Sequence, residues 1–138
     1  LEEQRGDMPP PAFSFHGPGP VLPQVSCHIT WTTARTHEII RGGFDRSPLF
    51  TGVIQGVGAR YCPSIEDKVA RFPQRQPHQT FRQPEGLDRA GVSANRISTS
   101  LPLDAQLAML RSVPGLDRVR PAPPGPATDC VCCYSVPP

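Results

Sequence analysis

Prolines and glycines crowd both ends of this sequence and limit where a packed core can form. The 138 residues include 19 prolines and 12 glycines, which gather in "MPPPAFSFHGPGPVLP" near the start and "RPAPPGPATDCVCCYSVPP" at the finish. Because proline has no N–H donor and a fixed φ angle, these stretches are predicted to be loop or disordered tail. The packable part runs from about residue 21 to residue 121, enough for one small domain or a piece of a larger one.

The charge and the cysteine content favour a cytoplasmic protein. The net charge of +2 is too weakly basic to indicate nucleic-acid binding by itself. No signal segment and no long apolar run occurs, so a soluble protein without a membrane partner is expected. An odd number of cysteines fits a disulfide framework poorly, so reduced thiols are predicted. They are Cys27, Cys62, Cys130, Cys132 and Cys133.

Three stretches alternate between polar and apolar residues, which is the pattern of half-buried strands. In "QVSCHITWT" the side chains predicted to face the core are Val25, Cys27, Ile29 and Trp31. "HQTFRQPEG" is predicted to form a second strand that stops at Pro84. "NRISTSLP" is predicted to form a third strand, with one face made of Ile97, Thr99 and Leu101.

Two further stretches have the signals of short helices. "TARTHEIIRGGF" is predicted to start at a cap on Thr33 or Thr36 and to end at Gly42-Gly43. "PLDAQLAMLRSVPG" is predicted to begin at Pro102, with an apolar stripe of Leu103, Leu107 and Leu110. Because helices and strands mix without regular βαβ spacing, the predicted fold class is α+β.

The stretch "GARYCPSIEDKVARF", residues 58–72, contains a third helix start. Ser64 is predicted to be the N-cap, with Asp67 at the third helical position reaching back to it. Asp67 and Arg71 are spaced to pair along the exposed side. The predicted apolar face consists of Ile65, Val69 and Phe72.

Cys62 lies just before this helix, and its chemistry has two interpretations. Pro63 holds Cys62 extended, while the helix dipole and Arg60 favour its thiolate form. The same helix start could instead hold a phosphate, with Arg60 as a second clamp. Against both stands the simpler interpretation, in which Cys62 is a small buried side chain without reactivity.

No metal site is predicted. The histidines His28, His37 and His78 have no zinc-ligand spacing. The adjacent cysteines in "CVCC" near the end suit tetrahedral coordination badly without ligands from elsewhere.

Several blocks together resemble one known family. "GVIQGVGARYCPSIEDKVARF", "HQTFRQPEGLD" and "ISTSLPLDAQLAMLRSVPGL" resemble, in order and spacing, the middle of the glucose-inhibited division protein A family, also called MnmG. "GDMPPPAFSF" and "PQVSCHITWTTARTHEIIR" match the part just upstream. The resemblance covers residues 6 to about 121.

The resemblance implies a fold, an activity and partners. The family's members are flavoproteins with two dinucleotide-binding domains. They install an aminomethyl or carboxymethylaminomethyl group on carbon 5 of the wobble uridine of certain tRNAs. Bound FAD, NADH as reductant, a folate-borne one-carbon unit, an MnmE-type GTPase partner and a homodimer are expected. Residues 1–20 would then be a loop segment, and residues 21–121 the family's middle region with its NAD-binding insert.

The family's site residues fall on the stretch already described. Its catalytic cysteine matches Cys62, to which a role on the uridine ring is carried over. Its nicotinamide-dinucleotide segment matches Gly58, Ala59, Arg60, Tyr61, Cys62, Pro63, Ser64, Ile65, Glu66, Asp67, Lys68, Val69, Ala70, Arg71 and Phe72.

The chain departs from the family in several places. Ala59 replaces a usual proline, Arg82 and Gln83 replace an apolar residue and a glutamate, and "VSANR" replaces the usual residues before "ISTSLP". The glycine-rich FAD motif is not among these residues, and residues 122–138 are expected to be a disordered tail outside the family. This partial copy is therefore expected to be inactive alone. The alternatives are a non-catalytic truncated protein that at most binds a partner or tRNA, and, more remotely, a metal-binding protein that uses the cysteine tail.

Overall fold

The computed structural model describes residues 1–12, 14–53, 64–75, 77–121 and 134–136 as an antiparallel sheet with helices. The sheet has six strands in the order β1-β2-β3-β4-β6-β5. In chain order the strands are β1 (Glu2–Gln4), β2 (Cys27–Trp31), β3 (Gln79–Pro84), β4 (Val92–Asn95), β5 (Arg120–Pro121) and β6 (Tyr134–Val136). The helices are α1 (Ala34–Arg41), α2 (Ile65–Arg71) and α3 (Leu103–Arg111), and a 3₁₀ turn covers Phe44–Arg46. A mixed α/β fold is confirmed.

The core lies between the helices and one face of the sheet. Its buried cluster joins residues of all three helices to Ala94 of β4 and to the chain on either side of α3. The largest fully buried apolar members are Ile40, Ile65, Ile97, Leu101, Met109, Leu110 and Leu116. We call the sheet face toward this cluster the inner face and the opposite one the outer face.

The caps of α1 follow the sequence prediction. Thr33 is the N-cap, and its hydroxyl accepts a hydrogen bond from the Thr36 N–H at 3.1 Å. The Thr36 hydroxyl in turn accepts from the Thr33 N–H at 3.0 Å. Gly42 closes the helix by donating its N–H to the Glu38 carbonyl at 2.9 Å. Both predicted ends are confirmed, because short-range capping chemistry decides them.

The apolar stripe predicted for α3 is partly wrong. Leu110 is buried, but Leu103 is 48% exposed. Ala105 and Met109, one turn apart, face the core instead, and Leu101 fills the space just before the helix. Compared with the prediction, the buried side of α3 is turned toward Ala105. This small residue lies on the side where α1 packs against α3.

The face predicted for β2 is only partly right. Ile29 is buried as predicted, at 9% exposed. Val25 lies before the strand and is 53% exposed, and Trp31 is 36% exposed on the outer face. Thr30 is the inner-face residue, only 3% exposed. Its hydroxyl donates to the Pro114 carbonyl at 2.8 Å, which removes the penalty of burying it.

The third predicted strand is displaced along the chain. β4 ends at Asn95, and Arg96 has a φ angle of 67°, a left-handed conformation that turns the chain out of the ladder. Residues 97–101 then run without strand pairing. Their alternation still decides burial, because Ile97, Thr99 and Leu101 are all 2% exposed or less.

Both ends of the chain contribute strands that the sequence analysis did not expect. β1 pairs with β2, with Gln4 opposite Cys27. β6 pairs with β4 and β5, with Ser135 opposite Val92 and Pro121. Strand pairing uses backbone groups, so neither strand needs the apolar alternation that identifies a strand in sequence.

None of the described helices is both long and apolar enough to cross a membrane.

Candidate functional site

Helix α2 begins where its sequence predicts, but the predicted return bond from Asp67 to its cap does not form, because the Asp67 carboxylate bonds to Arg71 instead. Ser64 is the N-cap, its hydroxyl accepting from the Asp67 N–H at 3.3 Å. The Asp67 carboxylate accepts from Arg71 Nε at 2.8 Å, which confirms the predicted ion pair. Ile65 and Val69 are buried, but Phe72 is 52% exposed. The prediction is wrong for Phe72 because it is the C-cap, outside helical geometry, and no longer follows the helical period.

A segment of extended chain fastens α2 in place. We call residues 96–100 the strap, since they run beside the helix and bond to its first turns. The Ile65 N–H donates to the Ser98 carbonyl at 2.8 Å. The Lys68 ammonium donates to the Arg96 carbonyl at 3.2 Å. The strap belongs to the "ISTSLP" block and α2 to the "CPSIEDKV" block, so two sequence-distant blocks form one unit.

The third connection between α2 and the strap is a buried carboxylate. Glu66 is 0% exposed, and its Oε1 accepts from both the N–H and the hydroxyl of Ser100, each at 2.7 Å. The Ser100 hydroxyl also lies 3.1 Å from that of Ser47, which is itself 0% exposed. Glu66 Oε2 has no hydrogen-bond partner within the described part of the chain. The sequence analysis included Glu66 in the proposed dinucleotide segment, residues 58–72. It did not predict that Glu66 is buried together with Ile65 and Val69.

The predicted site residues divide between described and undescribed parts of the chain. Gly58, Ala59, Arg60, Tyr61, Cys62 and Pro63 lie outside the described residues. The dinucleotide and thiol assignments at those positions therefore stay predictions. Within residues 64–72 the side chains of Ile65, Glu66 and Val69 point into the core, whereas Ala70, Arg71 and Phe72 are exposed.

The start of α2 offers less to an anion than its sequence suggests. The N–H groups of Ile65 and Asp67, two of those that a helix start leaves open, already donate to Ser98 and Ser64. The helix is also only seven residues long. The described residues therefore leave a phosphate fewer donors at this helix start, and a site built with residues 58–63 stays a prediction.

The structure brings together two histidines that the sequence analysis left apart. The rings of His37 and His78 stack with centroids 5.2 Å apart. The Thr32 hydroxyl accepts from the backbone N–H of His78 at 2.9 Å and lies 2.8 Å from the ring nitrogen Nε2 of His37. His37 Nδ1 and His78 Nε2 are buried without a hydrogen-bond partner among the described residues. The contact between His37 and His78 depends on the pairing of β2 with β3, which are far apart in the sequence. No local sequence pattern could therefore have predicted it.

Burial holds both imidazoles in their neutral form. Desolvation is the main cause that lowers the pKa of His37, followed by the charges of His78 and Arg41. Desolvation also lowers the pKa of His78, with smaller effects from Lys68 and Arg75. Among the described residues no carboxylate contributes to either shift, so none of them offsets the cost of charging the pair.

The described residues hold no group of three or more histidine, cysteine, aspartate or glutamate side chains that could bind a metal ion. Cys27, the cysteine whose side chain is described, is a free, half-buried thiol on the outer face of the sheet. It was predicted to face the core.

Comparison with known proteins identifies the family. The model of the glucose inhibited division protein A family matches residues 1–134. The match extends past residue 121, where the sequence resemblance was expected to stop. The chain belongs to this family.

Individual relatives agree with this assignment. The chain is 56% identical over 131 residues to the tRNA uridine 5-carboxymethylaminomethyl modification enzyme MnmG of Desulfotalea psychrophila, covering 94% of the chain and 20% of the relative. It is 57% identical over 125 residues to the MnmG of Geotalea uraniireducens, covering 88% of the chain and 20% of that relative. The chain thus spans about a fifth of the length of these relatives.

Two crystal forms of Aquifex aeolicus GidA contain the same architecture. Form I aligns with a TM-score of 0.72 and 49% identity, covering 85% of this chain and 21% of that chain. Form II aligns with a TM-score of 0.68 and 40% identity, covering 99% of this chain and 20% of that one.

The buried carboxylate generates the first prediction. Glu66→Ala leaves the Ser100 N–H without its acceptor and the Ser100 hydroxyl with Ser47 alone, and should lower the free energy of unfolding by about 1–3 kcal/mol. Glu66→Gln keeps one oxygen for Ser100 and should cost less. Glu38→Ala, which breaks only the exposed pair with Arg35, should change it by less than about 0.5 kcal/mol. Urea denaturation measures all three, and a Glu66→Ala cost no larger than that of Glu38→Ala would contradict the strap's role.

The histidine pair generates the second prediction. Both folded-state pKa values lie below the ordinary 6.5, so between them and 6.5 the unfolded chain binds more protons than the folded one. The free energy of unfolding should therefore fall as the pH drops below about 6.5, by at most about 1.4 kcal/mol per pH unit for each histidine.

Thermal melts between pH 7.5 and pH 5.5 measure this dependence. His37→Gln should flatten it, because one buried imidazole no longer titrates, and His16→Gln at an exposed position is the matched control. A His37→Gln variant that keeps the full pH dependence would contradict the prediction, because the dependence would then not come from the titration of His37.

Proposed function

We propose that this chain is the central segment of an FAD- and NADH-dependent enzyme that modifies carbon 5 of the wobble uridine of certain tRNAs, adding an aminomethyl or carboxymethylaminomethyl group. The observation that carries the proposal is the bonding of α2 to the strap. The two blocks that resemble the family most specifically form one buried unit. Relatives named as tRNA uridine modification enzymes are 56% and 57% identical to the chain over this region.

Cys62 is proposed as the catalytic nucleophile. Its thiolate sulfur would add to carbon 6 of the uracil ring, and the electron pair of the C5–C6 double bond would make carbon 5 nucleophilic. Carbon 5 would then bond to the carbon of the folate-borne unit; the bond of that carbon to the folate nitrogen breaks, the folate leaves with the electron pair, and an amine takes its place on the carbon. Loss of the carbon 5 proton to a base restores the double bond and expels the thiolate, so the cysteine is regenerated.

The cofactors and partners are those that the family implies. FAD and NADH would supply the reducing chemistry when bound. Residues 58–72 would contact the dinucleotide, with Arg71 and Phe72 as exposed side chains in their described part. An MnmE-type GTPase, a second copy of the whole protein and a cytoplasmic location complete the proposal.

The test places residues 1–121 of this chain in the Desulfotalea psychrophila MnmG, in exchange for the matching segment. The chimera is expressed in a bacterium that lacks its own enzyme, and tRNA nucleosides are analysed by mass spectrometry. The modified wobble uridine should appear. Cys62→Ser should abolish it, since a serine hydroxyl is a poor nucleophile without a base. Cys27→Ser, the same change at the half-buried thiol of β2, should leave it intact.

Two results would remove the proposal. A chimera that folds and binds FAD yet yields no modified uridine would return the chain to a non-catalytic role. Full activity of Cys62→Ser would return Cys62 to a structural role.

A further inference from the structure

The stacked histidine rings lie on the inner side of the sheet, where α1 meets the start of β3. His37 of α1 is 1% exposed, and its ring centroid lies 5.2 Å from that of His78, with 29° between the ring planes. His78 directly precedes β3 and is half-buried. The His78 ring therefore covers one face of the His37 ring and is the one nearer to solvent.

The Thr32 hydroxyl lies between the two histidines and selects a tautomer of His37. Its bond from the backbone N–H of His78 uses a lone pair, so its single hydrogen is left for Nε2 of His37, 2.8 Å away. The proton of the neutral His37 ring is then on Nδ1. The opposite tautomer would leave the hydroxyl hydrogen, in addition to Nδ1, without a partner among the described residues.

The His78 ring, in contrast, has no hydrogen bond to the described residues that would hold it. Its Nε2 is buried without a partner among them. The two bonds that join His78 to Thr32, each 2.9 Å long, both use the backbone of His78. The ring can therefore turn outward without breaking the backbone pairing at this end of the sheet.

The charged groups that act on the two rings within the described ranges are cations. Desolvation first, and then these charges, lower the pKa of both His37 and His78. Glu38 follows His37 in α1, but its carboxylate bonds to Arg35 at the surface. α3 meets the start of α1 with the neutral hydroxyl of Ser112. The cations are Arg41 on α1, Lys68 on α2 and Arg75 between α2 and β3.

We infer that the two histidines form a proton-operated switch, in which a proton on His78 turns its ring into solvent and uncovers His37. The His78 ring leaves first because it is half-buried and gives up no described hydrogen bond. Water then reaches His37, which gains a proton on Nε2. That nitrogen changes from acceptor to donor, so the Thr32 hydroxyl loses the acceptor of its hydrogen.

The switch loosens α1 from the sheet while α1 stays joined to α3. The Thr36 hydroxyl still accepts from the Ser112 hydroxyl at 2.8 Å, and Ile40 stays in the core. The closed form is favoured above about pH 6.5, the ordinary value for an imidazole. Below it, each proton that is taken up favours the open form by at most about tenfold per pH unit.

NMR of the imidazole nitrogens in the 138-residue chain tests this switch without any substitution. At pH 7.5, Nδ1 of His37 should be protonated and Nε2 should not. As the pH falls, His78 should gain its proton before His37. The Thr32 N–H should stay protected from hydrogen exchange through the His78 titration, because the backbone pairing persists.

Two substitutions of His78 should move the pKa of His37 in opposite directions. His78→Ala removes the cover and should raise this pKa toward about 6.5. His78→Phe keeps a ring that cannot gain a charge, so the pair stays closed and the pKa should fall by about one unit. Arg41→Gln, which removes a neighbouring charge but no ring, is the matched control and should raise it slightly. Circular dichroism checks that each variant is folded.

Three results would overturn the inference. A neighbouring charge without a moving ring predicts that His78→Phe raises the pKa of His37, as Arg41→Gln does. Such a rise would exclude the switch even if His78→Ala proved too unstable to study. A proton on Nε2 of His37 at pH 7.5 would remove the role of the Thr32 hydroxyl. Loss of Thr32 N–H protection as His78 titrates would mean that the end of the sheet unfolds instead of a ring turning.

Discussion

The bonding of α2 to the strap is the interaction on which the rest of the structure depends. α2 is short, and an isolated helix of seven residues is not stable in water. Its stability comes from Ile65 and Val69 in the core and from Ile65 N–H, Glu66 and Lys68, each of which bonds to the strap. A buried carboxylate is costly unless it is hydrogen-bonded, so Glu66 requires the strap as much as the strap requires Glu66.

The strap also links the two faces of the sheet. At one end Arg96 turns the chain out of β4 and lays its side chain over Phe81 on the outer face. At the other end Leu101 enters the core and α3 begins two residues later. The residues next to the proposed catalytic Cys62 are therefore fastened to the same segment that places Arg96 over Phe81. A shift of the strap would therefore move both together.

How far the sequence predicted this arrangement depends on the range of the interactions involved. The caps on Thr33 and Ser64 and the pair of Asp67 with Arg71 were all predictable, because each involves residues within four positions. The inner face of β2 was not, because the buried Thr30 hydroxyl finds its acceptor on Pro114, 84 residues away. The stacking of His37 on His78 and the burial of Glu66 against Ser100 likewise depend on strand pairing and packing that local patterns do not contain. The family resemblance identified more than these local patterns did. It included both the "CPSIEDKV" and the "ISTSLP" blocks, although nothing in the sequence indicated that they are in contact.

Native-state hydrogen exchange tests the central role of the strap most directly. The Ile65 N–H and the Ser100 N–H donate to the strap and to Glu66, respectively. If that bonding organises the fold, both amides should exchange only through global unfolding, at the rate of the Thr32 N–H, which extends the β2–β3 pairing to His78. The Gly17 N–H in the exposed N-terminal arm provides the fast reference. Exchange of Ile65 and Ser100 as fast as that of Gly17 would contradict the account, because the strap would then open without the sheet.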